Sequence, residues 1–131
     1  MVTHEVFIHS VRELAVNFAR AKITGEEHEK LTHCKMVYGR GMIGLRGLTQ
    51  YNAWKHTKTC DLVEICALGE ESWVQLAGTT IHELGHVLAG PGAGHDKTWK
   101  EACAKLGLRR VFAVGTQYQL ANFHPEIRMQ L

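Results

Sequence analysis

The chain has 131 residues, of which 45% are hydrophobic and 21% charged, and its formal net charge is +2. That is enough chain for one domain with a real core, and the balance is ordinary for a globular protein, so composition alone names no class. No apolar run approaches the roughly 20 residues of a membrane helix, and Met1–Glu5 lacks the basic-then-apolar pattern of a secretory signal. The expectation is a soluble, cytoplasmic single domain over residues 1–131, with no membrane partner.

In chain order, Ser10 and Glu13 have capping-box spacing, and Val11, Leu14, Ala15 and Phe18 recur at helical intervals. A first helix is predicted from about Val11 to Lys22, stopping near Gly25, with the charged residues Glu26–Lys30 as a connector. Lys35–Tyr38 and Leu45–Tyr51 read as short strands around a glycine-rich turn region, Gly39–Gly44, with the character of a bulge or flexible hairpin. Asp61–Leu68 is the better strand, alternating Leu62, Glu64 and Cys66 against Val63, Ile65 and Ala67.

The longest helical pattern follows, from about Ser72 as N-cap to Ala89, with Gly90-Pro91 as its stop. A glycine-rich loop leads to a third helix with Asp96 as N-cap and Trp99, Ala102, Cys103 and Leu106 as its apolar stripe, ended by Gly107. Val111–Val114 reads as an extended segment, and the last dozen residues carry little signal.

None of the four cysteines (Cys34, Cys60, Cys66, Cys103) forms a C-x-x-C pair, so the expectation is reduced thiols that mostly serve packing. Between Leu31 and Cys60 stand Lys35, Arg40, Arg46, Lys55 and Lys58 with no acid, and Tyr38, Tyr51 and Trp54 lie among them. A solvated basic face is one reading of this stretch. Weak, salt-sensitive DNA binding through 31–60 is the other, with Trp54 or Tyr51 as a stacking platform.

The chemistry concentrates in His82-Glu83-Leu84-Gly85-His86, an H-E-x-x-H inside the strongest predicted helix. Four residues advance a helix by about 6 Å and about 40° of rotation, so both imidazoles project from one face toward one ion. Imidazole is a favoured zinc ligand, and Glu83 is turned so that it reaches a water on the metal without ligating. The interior glycines Gly78 and Gly85 each cost about 1 kcal/mol in a helix. They leave space either for a substrate cleft or for tight packing. A catalytic site takes three protein ligands. His95, nine residues past His86 and beyond the glycine loop, is the leading third ligand, with Glu101, Asp96 and His124 as alternatives; Asp96 also fits an N-cap or a partner for an imidazole N–H.

H-E-L-G-H, the glycine loop, and Gly94-His95-Asp96-Lys97-Thr98-Trp99 through Leu108 together resemble the SprT-like zinc metallopeptidases. The resemblance runs clearest from Trp73 to Leu108. It implies an α+β, zincin-like domain with a small, mostly antiparallel sheet packed on the H-E-x-x-H helix. It also implies Zn2+ on His82, His86 and His95, with Glu83 as the catalytic acid/base. A strand before the helix, falling on Asp61–Leu68, would pair with an extended polypeptide substrate. Many family members carry a C-terminal zinc ribbon, and this sequence has none. The family's association with DNA-bound proteins makes those a candidate substrate class. The expected activity is peptide-bond hydrolysis, with Tyr118 or His124 as candidate donors to the oxyanion. The rival expectation is a non-catalytic zinc scaffold, or a nucleic-acid- or protein-binding module of the same fold.

Overall fold

Thr3, rather than Ser10, starts the first helix in the computed structural model, which describes residues 3–41, 44–54, 60–66, 72–112 and 118–131. Helix α1 runs His4–Ala19, and the Thr3 hydroxyl accepts from the Val6 N–H at 3.1 Å. Ser10 lies inside it, because Ile8 extends the buried stripe of Val11 and Ala15 upstream by a turn. The expected connector is also helical. Helix α2 (Gly25–His33) opens with a reciprocal capping box between Thr24 and Glu27, at 3.0 and 2.9 Å. Only Leu31 of α2 is buried, so no apolar period announced it.

Strands β1 (Lys35–Gly39), β2 (Gly47–Trp54) and β3 (Cys60–Cys66) form one sheet in the order β1-β3-β2. Strand β3 is parallel to β1 and antiparallel to β2, so the sheet is mixed and not mostly antiparallel. Strands β1 and β2 are not neighbours, so they do not form the expected hairpin among the described residues. The centre goes to the strand with the most apolar surface on both faces: Val63 and Ile65 are buried inward, while Leu62 on the other face is half-covered. This placement overturns the expectation that Asp61–Leu68 offers a free edge. Among the described residues the outer strands are β1 and β2. Strand β2 slips register between Gln50 and Trp54, with Asn52 at φ 54°, and the Asn52 N–H donates to the buried Asp61 carboxylate at 2.9 Å.

Helix α3 (Trp73–Ala89) lies against the inner face of the sheet, with α1, α2 and α4 (Lys97–Lys105) around it. Its ends match the sequence reading: Ser72 accepts from the Gln75 N–H at 3.1 Å, and Gly90 closes it at φ 88°. Asp96 caps α4 by accepting from the Trp99 N–H at 3.2 Å. Leu76, Ala77, Ile81, Leu84 and Val87 are buried, and so are the polar Gln75, Thr79 and Thr80. The polar group of Thr80 is satisfied by the Leu76 carbonyl, and Gln75 donates to Thr79.

The chain closes with a bridge between Leu108 and Phe123 and a short helix α5 (Pro125–Arg128). Val111 and Phe112 belong to no regular element, and the rest of that predicted segment lies outside the described residues. The four cysteines are free thiols, three of them buried. Among the described residues no helix is long and apolar enough to cross a membrane.

Candidate metal centre

Two turns of α3 and the loop before α4 bring three imidazoles to one point. His86 Nε2 lies 3.2 Å from His95 Nε2, which lies 3.3 Å from His82 Nε2. All three nitrogens fall within 4.8 Å of one another. Nitrogens held 2.0–2.1 Å from a tetrahedral zinc would sit about 3.3–3.4 Å apart, so the two spacings to His95 fit such an ion. These three histidines are close enough to bind a metal ion, and imidazole donors suit zinc, copper, iron or nickel.

The loop supplies the third arm by geometry that glycine permits. Gly90, Gly92 and Gly94 all have positive φ, and together they fold His95 back over the helix. Beneath the histidines lies the fully buried Trp99. Its ring centroid is 4.7 Å from that of His82, 5.3 Å from His86 in a stacked arrangement, and 4.6 Å from His95. Its indole N–H donates to the His82 carbonyl at 3.1 Å, which locks the platform to α3. Gly85 makes this close packing possible: a Cβ there would stand 2.4 Å from Cys103 Sγ and 3.2 Å from the indole nitrogen.

Burial, with the neighbouring imidazoles adding to it, lowers His82 to about 3 and His86 to about 4. Both rings are therefore neutral at pH 7, which is the form that ligates.

Glu83 faces the sheet. The Thr49 hydroxyl of β2 donates to Glu83 Oε1 at 2.7 Å, and Oε2 lies 3.8 Å from His82 Nε2. One carboxylate oxygen is thus anchored and the other is presented beside the nitrogen cluster. Burial raises Glu83 to about 7, against the lowering effect of the Thr49 bond. Gly47 gives the carboxylate its room, since a Cβ there would come within 2.8 Å of Glu83 Cγ and Oε2. Next along β2, the Tyr51 hydroxyl donates to the His86 carbonyl at 3.1 Å.

The alternative ligands are engaged elsewhere. Glu101 is exposed beside Lys97 at 3.8 Å, and Asp96 caps α4. His124 caps α5 through Nδ1 and packs against Phe18 of α1, which also removes it as an oxyanion donor. Tyr118 sits at the site, but its hydroxyl is 3.0 Å from His82 Nδ1, on the side of the ring away from the cluster. Its ring fills the space over Gly78, where a Cβ would be 2.4 Å away. The two interior glycines of α3 therefore admit packed side chains, Tyr118 and Cys103, and not a cleft.

Of the basic stretch, Lys35 and Arg40 are exposed and Arg46 is half-buried; Lys55 and Lys58 lie outside the described residues. Tyr38 stacks on His4 at 4.9 Å. Thr49, Gly47 and the role of Trp99 were missed in the sequence. Nothing local links Thr49 to Glu83, 34 residues away. The Asp96 cap was a usable signal, because it sets Trp99 in the first turn of α4, directly after the loop histidine.

Comparison with protein-family models, curated proteins and solved structures returns no match.

Proposed function

We propose that the protein is a zinc-dependent peptidase of the SprT-like kind, with His82, His86 and His95 holding the ion and Glu83 acting as acid and base. The observation that carries this reading is the position of Glu83 Oε2, 3.8 Å from His82 Nε2 and beside three convergent imidazole nitrogens. A scaffold that only stored the metal would have no use for a buried carboxylate anchored at that place. When bound, a zinc ion supplies Lewis acidity, lowering the pKa of a water toward 7 and polarising a carbonyl.

The chain's own residues do the rest. His82 and His86 are held neutral by burial, and all three rings pack against Trp99. Glu83 takes a proton at Oε2 while Thr49 keeps Oε1 from turning, and it returns that proton to the leaving amine. An extended polypeptide would pair with the edge of β2, the strand that carries Thr49 and Tyr51 against α3 and whose only strand partner among the described residues is β3.

The test is cleavage of an unfolded protein by the zinc-loaded chain. Glu83→Gln keeps the side-chain size and an acceptor for Thr49 but removes the base. It is expected to retain zinc and to lose roughly 10²–10⁴-fold in turnover. Undiminished cleavage by this variant would remove Glu83 from the mechanism, and no cleavage by either protein would favour a scaffold.

A further inference from the structure

We infer that Tyr118 is a positioning residue for the metal centre, holding the ring proton of His82 on Nδ1 so that Nε2 offers its lone pair to the ion. The inference rests on the metal reading above and goes beyond it, because it concerns a residue that would touch neither the ion nor a substrate.

The partners around the phenol point to one direction for its bond with His82. Tyr118 Oη lies 3.0 Å from His82 Nδ1, 3.4 Å from the Phe112 carbonyl and 3.4 Å from the Phe112 N–H. A hydroxyl has one proton to give and two lone pairs to fill. The Phe112 carbonyl can only accept and the Phe112 N–H can only donate. The phenol proton goes to the carbonyl, one lone pair takes the Phe112 N–H, and the second takes a proton from His82 Nδ1. That assignment leaves His82 Nε2 deprotonated, facing His95 Nε2 at 3.3 Å. The opposite direction would place the proton on Nε2, in the middle of the nitrogen cluster, and would leave the Phe112 carbonyl without the phenol.

Tyr118 is placed for this by one stripe of α3. Its backbone N–H donates to Gln75 Oε1 at 2.7 Å, and Gln75, itself fully buried, is tied to Thr79 at 3.0 Å. Its ring lies in the gap left by Gly78. Gln75, Gly78, Thr79 and His82 follow at helical spacing, so the same face that offers the ligand also carries the clamp for its partner. Among the described residues the other two ligands have no such partner: neither His86 nor His95 has a hydrogen bond at Nδ1. Control of the proton therefore falls on His82, the most buried of the three.

The test compares the full chain with Tyr118→Phe, which removes the hydroxyl and leaves the ring over Gly78. Zinc affinity is measured by competition with a chromophoric chelator, and unfolding of the metal-free proteins is measured in parallel. Loss of a partner to a ligating imidazole is expected to weaken zinc binding by roughly ten- to a hundred-fold. The one-to-one stoichiometry should persist. In the zinc-loaded wild type, long-range proton–nitrogen correlation spectra should place the His82 ring proton on Nδ1, slow to exchange with solvent. In Tyr118→Phe the same proton should exchange faster, which a packing role alone would not produce. Equal zinc affinity in the two proteins overturns the inference while leaving the metal reading intact, and so does a His82 proton found on Nε2. If the wild type binds no zinc at all, both readings fall. Should Tyr118→Phe not fold, the wild-type spectrum alone decides.

Discussion

The two sides of α3 are built on different principles. Toward α4, three imidazoles rest on an indole, and the elements involved are neighbours in sequence: residues 82, 86, 95 and 99. Toward the sheet, the Glu83 carboxylate is buried and anchored by a hydroxyl from a strand 34 residues upstream. The metal side is thus a local device, preorganised by helix spacing and a glycine loop, while the acid side exists only once the sheet has formed. Damage to the sheet should silence the chemistry and spare the metal. Damage to the α4 side should cost the metal, and the chemistry with it.

The largest test of this division is electrostatic, and it uses the metal-free protein. Glu83 is raised from 4.5 to about 7 by burial. Below 4.5 it is protonated in both folded and unfolded chains and carries no penalty. Between 4.5 and 7 the folded chain keeps a proton that the unfolded chain gives up, so this group's contribution to stability is lost as pH rises through that window. The shift corresponds to about 3 kcal/mol. Glu83→Gln has no such titration, so it should gain on the wild type by about that amount between pH 4.5 and pH 8, read by urea unfolding. His82 and His86, lowered to about 3 and about 4, make both proteins less stable as pH falls below 6.5, and they cancel in the comparison. A gap that stays constant with pH would mean that the carboxylate is not buried as described.

A smaller effect isolates the α4 side. Gly85→Ala drives a methyl to 2.4 Å from Cys103 Sγ. The overpacking, typically 1–3 kcal/mol, works against a helix-propensity gain of about 1 kcal/mol. Adding Cys103→Ala should relieve the clash, giving a favourable coupling of about 1 kcal/mol in a double-mutant cycle. Strict additivity would show that the two sites do not press on one another.

The smallest expected change is on the sheet side. Thr49→Val keeps the shape of the side chain and removes the hydroxyl that holds Glu83 Oε1. Turnover should fall about tenfold, equivalent to about 1.4 kcal/mol, with zinc affinity unchanged and activity recovered in Thr49→Ser. Loss of zinc in Thr49→Val would break the separation of the two sides.

The same division explains how much was legible beforehand. Helix α3, its Ser72 and Gly90 ends, the Asp96 cap and the approach of His95 were all readable, because each depends on spacing within about twenty residues. Ser10 misled because its capping-box spacing is real but Ile8 carries the buried stripe past it. Helix α2 was hidden by its charge. The strand order was not readable from alternation, since alternation reports which face is buried and not which strand is central. The two glycines of α3 could be recognised as costly. Whether they admitted a substrate or a side chain depended on packing partners that spacing does not name, Cys103 from the next helix and Tyr118 from farther along the chain.

The measurement that bears most directly on the central claim is zinc content and binding stoichiometry of the purified chain, compared with His95→Ala. One zinc per chain is expected, with nitrogen ligands at about 2.0–2.1 Å by X-ray absorption. In His95→Ala, affinity should be much reduced while the fold is retained, because His95 is exposed on a loop and supports no core. Zinc bound equally well with and without His95, or no zinc bound by the wild type, would contradict the account.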